Sequence, residues 1–173
     1  MPYSATIKIG TIKGESNGVG PNVALGKAKP HAGEIDVLSW HWGMAQTTSV
    51  QDGSGGGTGT ADVKDLTLQK YVDCATPTLL QECHRGKAQQ TGDGDIGAVL
   101  SVFKVSGEDA IPFLTITLKG TVMISSVHTG ELLPVDRYGE TVTLSFAKAT
   151  MVYTSQGTKN EPGKSHEGEF NIA

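Results

Sequence analysis

Residues 62–87 constrain the fold of this chain most, because a strand pattern there runs directly into a helix pattern. The first half of the stretch alternates between apolar and polar positions, which predicts a β-strand. One side of this strand carries Leu66, Leu68 and Val72, and the other carries Thr67, Gln69 and Tyr71. We expect the first side to face a core.

The second half of the stretch carries the punctuation of a helix over residues 77–85. Thr76 is the expected N-cap, Pro77 suits the first helical position, and Gly86 can end the helix in a left-handed conformation. Between these marks, Leu79, Leu80 and Cys83 form one apolar stripe. No other segment has both a cap and such a stripe, so we expect a mainly β protein with one helix of about three turns.

Further strands are predicted at residues 5–9, 34–44, 98–105, 113–124 and 140–154. In residues 34–44 we expect the face with Leu38, Trp40, Trp42 and Met44 to be the core, since two indoles bury roughly 200 Å² each. Gly120 predicts a bend or bulge within its strand. The apolar phase changes between Phe146 and Ala149, which predicts a second bulge near Ala147.

Four segments interrupt this pattern. Residues 17–30 are expected to be a loop rich in glycine, proline and asparagine, and residues 89–97 a second loop with three glycines. Residues 155–169 are expected to form a flexible polar tail before a short last strand. Residues 46–60 contain Gly53, Gly55, Gly56, Gly57 and Gly59, and so glycine-rich a run is costly to order without a partner. We therefore treat it as an assembly loop. The 173 residues suffice for a single domain with its own core.

Charge and hydropathy exclude several classes of function. The net charge is −4 and no run of lysine or arginine is present, which argues against nucleic-acid binding. The N-terminus lacks the pattern of a secretory signal, and no apolar run approaches the ~18 residues that span a bilayer. The chain is expected to be made in the cytoplasm. Cys74 and Cys83 are expected to be free thiols, since a helix separates them beyond disulfide distance.

The sequence offers no constellation for catalysis. The Gly-x-Ser-x-Gly elbow of hydrolases and the phosphate-binding loops are absent. Asp93 and Asp95 sit in a short loop that lacks the ligands of a calcium site, and the five histidines show no paired metal spacing. We expect no enzyme activity, metal or cofactor. Trp40 and Trp42 are expected in the core, with a sugar-stacking platform as the alternative.

Several stretches together resemble the haemolysin-coregulated protein family, Hcp, of type VI secretion systems. Besides the glycine-rich loop, they cover nearly the whole chain in order: Ile7-Lys-Ile-Gly, Lys13-Gly-Glu-Ser, Glu34-Ile-Asp-Val-Leu-Ser-Trp-His-Trp-Gly, Asp65-Leu-Thr-Leu-Gln-Lys-Tyr-Val-Asp, Thr76-Pro-Thr-Leu-Leu, Gly86-Lys, Phe113-Leu-Thr-Ile-Thr-Leu, Val127-His-Thr-Gly, Glu140-Thr-Val-Thr-Leu-Ser-Phe-Ala-Lys and Phe170-Asn-Ile. Each run is weak alone, and their combination is specific.

The resemblance implies an antiparallel β-barrel with one flanking helix, similar to phage tail-tube proteins. It also implies that six copies close into a ring, that rings stack into a tube expelled by a contractile sheath with a spike, and that effector proteins travel in the lumen. Secretion would then need no signal peptide. The chain departs from the family in its long segments at residues 17–30 and 89–97, and in carrying His41 between the tryptophans.

Strand alternation puts Ser39 and His41 opposite the two tryptophans. In a ring of barrels this side of a long strand can line the lumen, which makes both residues candidates for cargo contact. The plain alternative is an exposed histidine with no role. For the whole chain, the alternative to a tube subunit is a free-standing β-barrel module that binds carbohydrate through the Trp40/Trp42 strand. The mass of the assembly in solution separates these two readings.

Overall fold

The structure is a computed structural model that describes residues 3–18, 31–46, 60–106, 109–156 and 162–172. The described residues are mainly strand, with one helix, α1 (Thr76–Arg85). The strands are β1 (Tyr3–Ile9), β2 (Asn17–Gly18), β3 (His31–Ala32), β4 (Ile35–Val37), β5 (Ser39–His41), β6 (Met44–Ala45), β7 (Asp62–Val63), β8 (Leu66–Tyr71), β9 (Ile96–Ser106), β10 (Asp109–Leu133), β11 (Arg137–Gln156) and β12 (Pro162–Asn171). The mainly β class predicted from the sequence is confirmed.

Eight of these strands form one antiparallel sheet in the order β4-β1-β9-β10-β11-β8-β5, with β12 paired to β11. The two ends of this order, β4 and β5, are separated in the chain by Leu38 alone. The Leu38 N–H donates to the Gln69 carbonyl at 2.8 Å, so the chain passes directly from pairing with β1 to pairing with β8. One short segment therefore joins both edges of the sheet.

This crossing corrects the predicted strand over residues 34–44. Ile35 and Val37 are buried at 0% and 2% exposure, whereas Met44 is 45% exposed. Trp40 and Trp42 are half-buried and pack against the core. The predicted tryptophan face was therefore wrong for the first part of the segment and at Met44. The chain leaves one sheet edge and joins the other at Leu38, so the inward phase changes there from odd to even positions.

The long hairpin of β10 and β11 carries the bulge predicted at Gly120. Lys119 pairs with Lys148 and Val122 pairs with Phe146, so two residues of β10 lie opposite Ala147 alone. Gly120 has a φ of 72°, a conformation that costs glycine little. An irregularity thus lies beside Ala147 as predicted, but the extra residue belongs to β10.

Helix α1 ends as predicted and begins differently. Gly86 is left-handed with a φ of 60°, and its N–H donates to the Cys83 carbonyl. The N-cap is Ala75, so the prediction of a Thr76 cap was wrong, and Pro77 is not the first helical residue. The Thr76 hydroxyl accepts the Asp73 N–H at 3.1 Å, while the Asp73 carboxylate accepts the Ala75 N–H at 2.9 Å.

The predicted apolar stripe of the helix was also wrong at one position. Leu79 is fully buried and Cys83 is half-buried against the core, but Leu80 is 40% exposed. Ala75, Leu79 and Cys83 follow each other at four-residue steps and share one face. Leu80 lies about 100° further around the helix and is turned towards solvent.

Two more predictions need correction at the chain's polar segments. Strand β12 begins at Pro162, so residues 162–168 are paired with β11 and the last strand is longer than predicted. Val72, which follows β8, is 40% exposed, and Lys70 is the third inward residue of β8 after Leu66 and Leu68. Cys74 and Cys83 are free cysteines. Within the described ranges, no helix is long and apolar enough to cross a membrane.

Candidate cargo and assembly surfaces

The two predicted cargo residues, Ser39 and His41, lie side by side on an exposed face of the β5–β8 pair. Ser39 is paired with Gln69 and His41 with Thr67. The Ser39 hydroxyl is 3.4 Å from Gln69 Oε1, a long hydrogen bond on an open surface. Their alternation with Trp40 brings both side chains to the polar side of the strand pair, next to the side chains of β8 that share this face.

The tryptophans are used mainly for packing. Trp42 Nε1 donates to the Lys64 carbonyl at 3.0 Å, and the indole meets Phe146 and Phe170 edge to face at 5.8 and 5.2 Å between ring centroids. These contacts tie β12 and the β6–β7 region to the core. A sugar-stacking platform needs an open ring face, whereas the ring of Trp42 packs against neighbouring aromatic residues.

A cleft of about 480 Å³ opens beside the Gly120 bulge. Its lining includes the charged residues Lys119, Lys148, Asp95 and Glu169, together with Ala149 and Phe170. A smaller cavity of about 240 Å³ lies next to Ser39 and Trp40. Both cavities are partly open to solvent. Each is large enough to hold part of another molecule.

A buried polar network was missed by the sequence reasoning. Lys70 Nζ donates to Glu140 Oε1 at 2.7 Å, to Asp73 Oδ1 at 2.8 Å and to the Tyr71 carbonyl at 2.7 Å. The Thr76 hydroxyl donates to the same Glu140 oxygen at 3.0 Å. The network joins β8, β11 and the start of α1. The one sign of this network in the sequence is that Lys70 continues the alternating inward positions of Leu66 and Leu68.

A second polar cluster surrounds Asp36 and Cys74. Burial raises the pKa of Asp36, against a smaller lowering effect of the Ser16 hydroxyl. Local desolvation and the carboxylates of Glu15 and Asp73 raise the pKa of Cys74. The Cys74 N–H donates to Glu15 Oε1 at 3.1 Å, which links the segment before α1 to the segment after β1.

Two short paired strands, β2 and β3, lie at the ends of the long segment at residues 17–30. Strands β2 and β3 pair there, with Asn17 opposite Ala32 and Gly18 opposite His31. His31 Nδ1 lies 3.0 Å from Glu34 Oε2, which also accepts the Thr6 hydroxyl at 2.7 Å. The His31 ring packs edge to face on Phe103. The stem is thus held by ordinary packing and hydrogen bonds.

Two sequence predictions remain partly or wholly outside the described residues. The assembly loop residues Gly53, Gly55, Gly56, Gly57 and Gly59 lie in residues 47–59, which the structure does not describe. Most of the segment at residues 17–30 also lies outside. In the part of the chain that is described, no three side chains of histidine, cysteine, aspartate or glutamate come together as metal ligands.

The fold defines a class: a mainly β protein with one large antiparallel sheet, one helix in its described residues and open clefts on its surface. Comparison with known proteins agrees with this class. The sequence profile of the family described as "Type VI secretion system effector, Hcp" matches residues 6–153. Protein hcp1 of Pseudomonas aeruginosa is 44% identical over 156 residues, covering 90% of this chain and 86% of that protein.

Solved structures show the same likeness. Hcp1 from Salmonella typhimurium has a TM-score of 0.71 at 26% identity, covering 99% of this chain and 96% of that one. A structure described as a type six secretion system protein has a TM-score of 0.81 at 22% identity, with 99% and 96% covered, and shows a common fold. The chain belongs to the Hcp family, and it is a structural protein of the type VI secretion tube.

Proposed function

We propose that this chain closes into six-membered rings that stack into the type VI tube and carry effector proteins in their lumen. Membership of the Hcp family supports this proposal most strongly. The partners would be further copies of the chain and the sheath, spike and effector proteins of the apparatus. The chain would be made in the cytoplasm and leave the cell through the tube, as a single domain that acts by binding.

We propose that the subunit is an antiparallel β-barrel. The support is the passage of residues 35–41 from one edge of the sheet to the other, which leaves only Leu38 between pairing with β1 and pairing with β8. A closed sheet leaves few edge groups free to pair with foreign strands. For a subunit that must stack in a defined direction, closure of the sheet restricts contacts between copies to particular surfaces.

The export part of the proposal is tested by following the chain itself. An epitope-tagged copy should reach the culture medium of a strain with an active type VI apparatus, and should stay in the cells when the sheath gene is deleted. A cytoplasmic enzyme measured in the same medium controls for lysis. Equal release with and without the sheath contradicts export through the apparatus.

We further propose that Ser39 and His41 face the lumen and contact cargo. Both side chains are exposed on the polar side of β5, where Ser39 makes only a long hydrogen bond. His41→Gln keeps a polar side chain and should reduce co-purification of an effector. The matched control is His166→Gln, since His166 is another exposed strand histidine and lies on β12. Equal cargo recovery from both variants, with rings intact, removes His41 from the cargo surface.

The glycine-rich loop is proposed to contact neighbouring copies. The support is its composition, because a run of glycines loses much conformational entropy when it is ordered, and contacts with a partner can offset that cost. Deletion of residues 53–59 should leave the far-ultraviolet circular dichroism unchanged while weakening assembly. Unaltered stacking after this deletion contradicts an assembly role for the loop.

A further inference from the structure

The cleft beside the Gly120 bulge holds charges that are not paired with one another. Lys119 and Lys148 are direct cross-strand neighbours in the β10–β11 ladder. Like charges directly opposite each other in a sheet are destabilising. Neither lysine makes an ion pair with another described residue, and the same holds for Asp95 and Glu169, which also line the cleft. An acidic group held between the two lysines would relieve their mutual repulsion.

The far end of the same hairpin has the opposite character. Three large side chains are exposed at its turn: Leu132 at 60%, Val135 at 60% and Tyr138 at 58%. Asp136, with a φ of 54°, stands exposed at the tip, and Glu131 is exposed beside it. Large apolar side chains grouped on a projecting turn are typical of a contact surface.

We call residues 131–138 the tip. Arg137 adds a cation to its apolar and acidic side chains. Its guanidinium lies 3.8 Å from the centroid of the Tyr71 ring. Stacking uses the face of the guanidinium and leaves its N–H edges open for a carboxylate. The tip thus offers apolar side chains, two carboxylates and one oriented cation.

The tip cannot reach the cleft of its own chain. Lys119 and Leu133 are both in β10, and 14 positions separate them, which is roughly 40 Å along the strand. The two surfaces therefore lie at separate places along one hairpin. If they meet, they meet between copies, and such a contact is heterologous: one surface of one copy binds a different surface of the next.

We propose that the tip of one copy docks in the bulge cleft of the next copy, with Asp136 or Glu131 between Lys119 and Lys148. The apolar side chains of the tip would contact the partly buried Phe170, and Arg137 would face the cleft carboxylates, Asp95 and Glu169. The occupant is thus a second copy of this chain. This inference rests on the proposed self-assembly and names the surfaces that carry it.

Cross-linking between two different variants tests the contact directly. In a Cys74→Ser/Cys83→Ser background, Val135→Cys is mixed with Lys148→Cys and treated with a short thiol-to-thiol cross-linker. The mixture should give covalent dimers, and either variant alone should give almost none, because the contact joins two unlike surfaces. The matched control replaces Lys148→Cys by Gln81→Cys, an exposed position on α1 away from the cleft.

The outcomes separate this inference from the proposed function. Dimers within a single variant, or equal dimers with Gln81→Cys, overturn the tip-to-cleft contact. Absence of dimers while light scattering still shows large assemblies overturns it too, and leaves the tube function standing with another interface or partner at the cleft. If the unaltered chain is monomeric, the proposed self-assembly fails first, and this contact fails with it.

A double-mutant cycle tests the charge pairing without cross-linking. Lys148→Gln and Asp136→Asn remove one charge each, and asparagine tolerates the left-handed backbone at position 136. Each should weaken association about three- to tenfold, an effect that falls with added salt. If the two residues pair, the double variant should be no weaker than the weaker single variant. Losses that multiply in the double variant contradict pairing between Lys148 and Asp136.

Discussion

Lys70 Nζ lies 2.7 Å from Glu140 Oε1, with the two side chains 1% and 0% exposed. Removing one member of a buried pair leaves an uncompensated charge, whereas replacing both by apolar side chains often costs little. Lys70→Met should therefore destabilise the protein by about 3–5 kcal/mol. Lys70→Met/Glu140→Leu should recover part of that loss, since Asp73 remains without its lysine partner. Urea unfolding of both variants provides the measurement, and a double variant that is less stable than Lys70→Met contradicts the pairing.

The helix face gives a second prediction with an internal control. Leu79 is fully buried and Leu80 is 40% exposed, although the two are adjacent in sequence. Leu79→Ala should cost about 2–5 kcal/mol through lost packing. Leu80→Ala should stay within about 0.5 kcal/mol. Thermal or urea unfolding of the two variants under one set of conditions decides the matter, and equal losses would mean that the helix is rotated.

Ionisation of Asp36 should lower the stability of the folded protein, by an amount that depends on pH. Burial raises the pKa of Asp36 in the folded state, so the folded protein binds this proton more tightly than the unfolded chain does. The resulting stability is present below the unfolded pKa of about 3.9 and is lost as the pH rises through the folded pKa. Asp36→Asn should therefore raise the unfolding midpoint at pH 7, and the gain should shrink on acidification towards pH 4.

The control for this prediction is Asp93→Asn, because Asp93 is an exposed aspartate outside the cluster. It should change the unfolding midpoint little at either pH. Stabilisation by Asp36→Asn that is the same at pH 4 and pH 7 would show that the ionisation of Asp36 is not its cause.

Cys74 should react slowly with alkylating reagents at neutral pH. Local desolvation and the carboxylates of Glu15 and Asp73 raise its pKa, and the thiolate is the reactive form. In a Cys83→Ser background, Glu15→Gln removes one of these charges and keeps an oxygen for the Cys74 N–H. Iodoacetamide should then modify Cys74 faster than in the parent. An unchanged or slower rate would contradict the electrostatic part of this account.

Much of the fold could be predicted from strand periodicity and from the positions of glycine residues. The alternation of β8, the left-handed Gly86 and the bulge at Gly120 all depend on local chemistry, which a sequence expresses directly. The correct class followed from these local features. Local rules were less useful where the chain changes partners, as at Leu38, since the inward phase there depends on which strands lie on either side.

The misplaced residues share a physical cause. Lys70 occupies an inward position because Glu140, 70 residues away, neutralises it, and no local pattern reports such a partner. The choice between Leu79 and Leu80 depends on the side from which the helix meets the sheet. The side chains at residues 163–167 of β12 are exposed in succession, so the composition of this strand resembles that of a tail although its backbone pairs with β11. The roles of His41 and Ser39 stay predictions, since cargo contact is a property of the assembly.

The mass of the purified chain in solution tests the central claim most directly, by size-exclusion chromatography with light scattering and electron microscopy of the same fraction. The account predicts a species of six times the 18.1 kDa chain mass, seen as rings with sixfold symmetry and an open centre. A monomer or dimer that persists at every protein concentration tried, with no rings in the images, would contradict it.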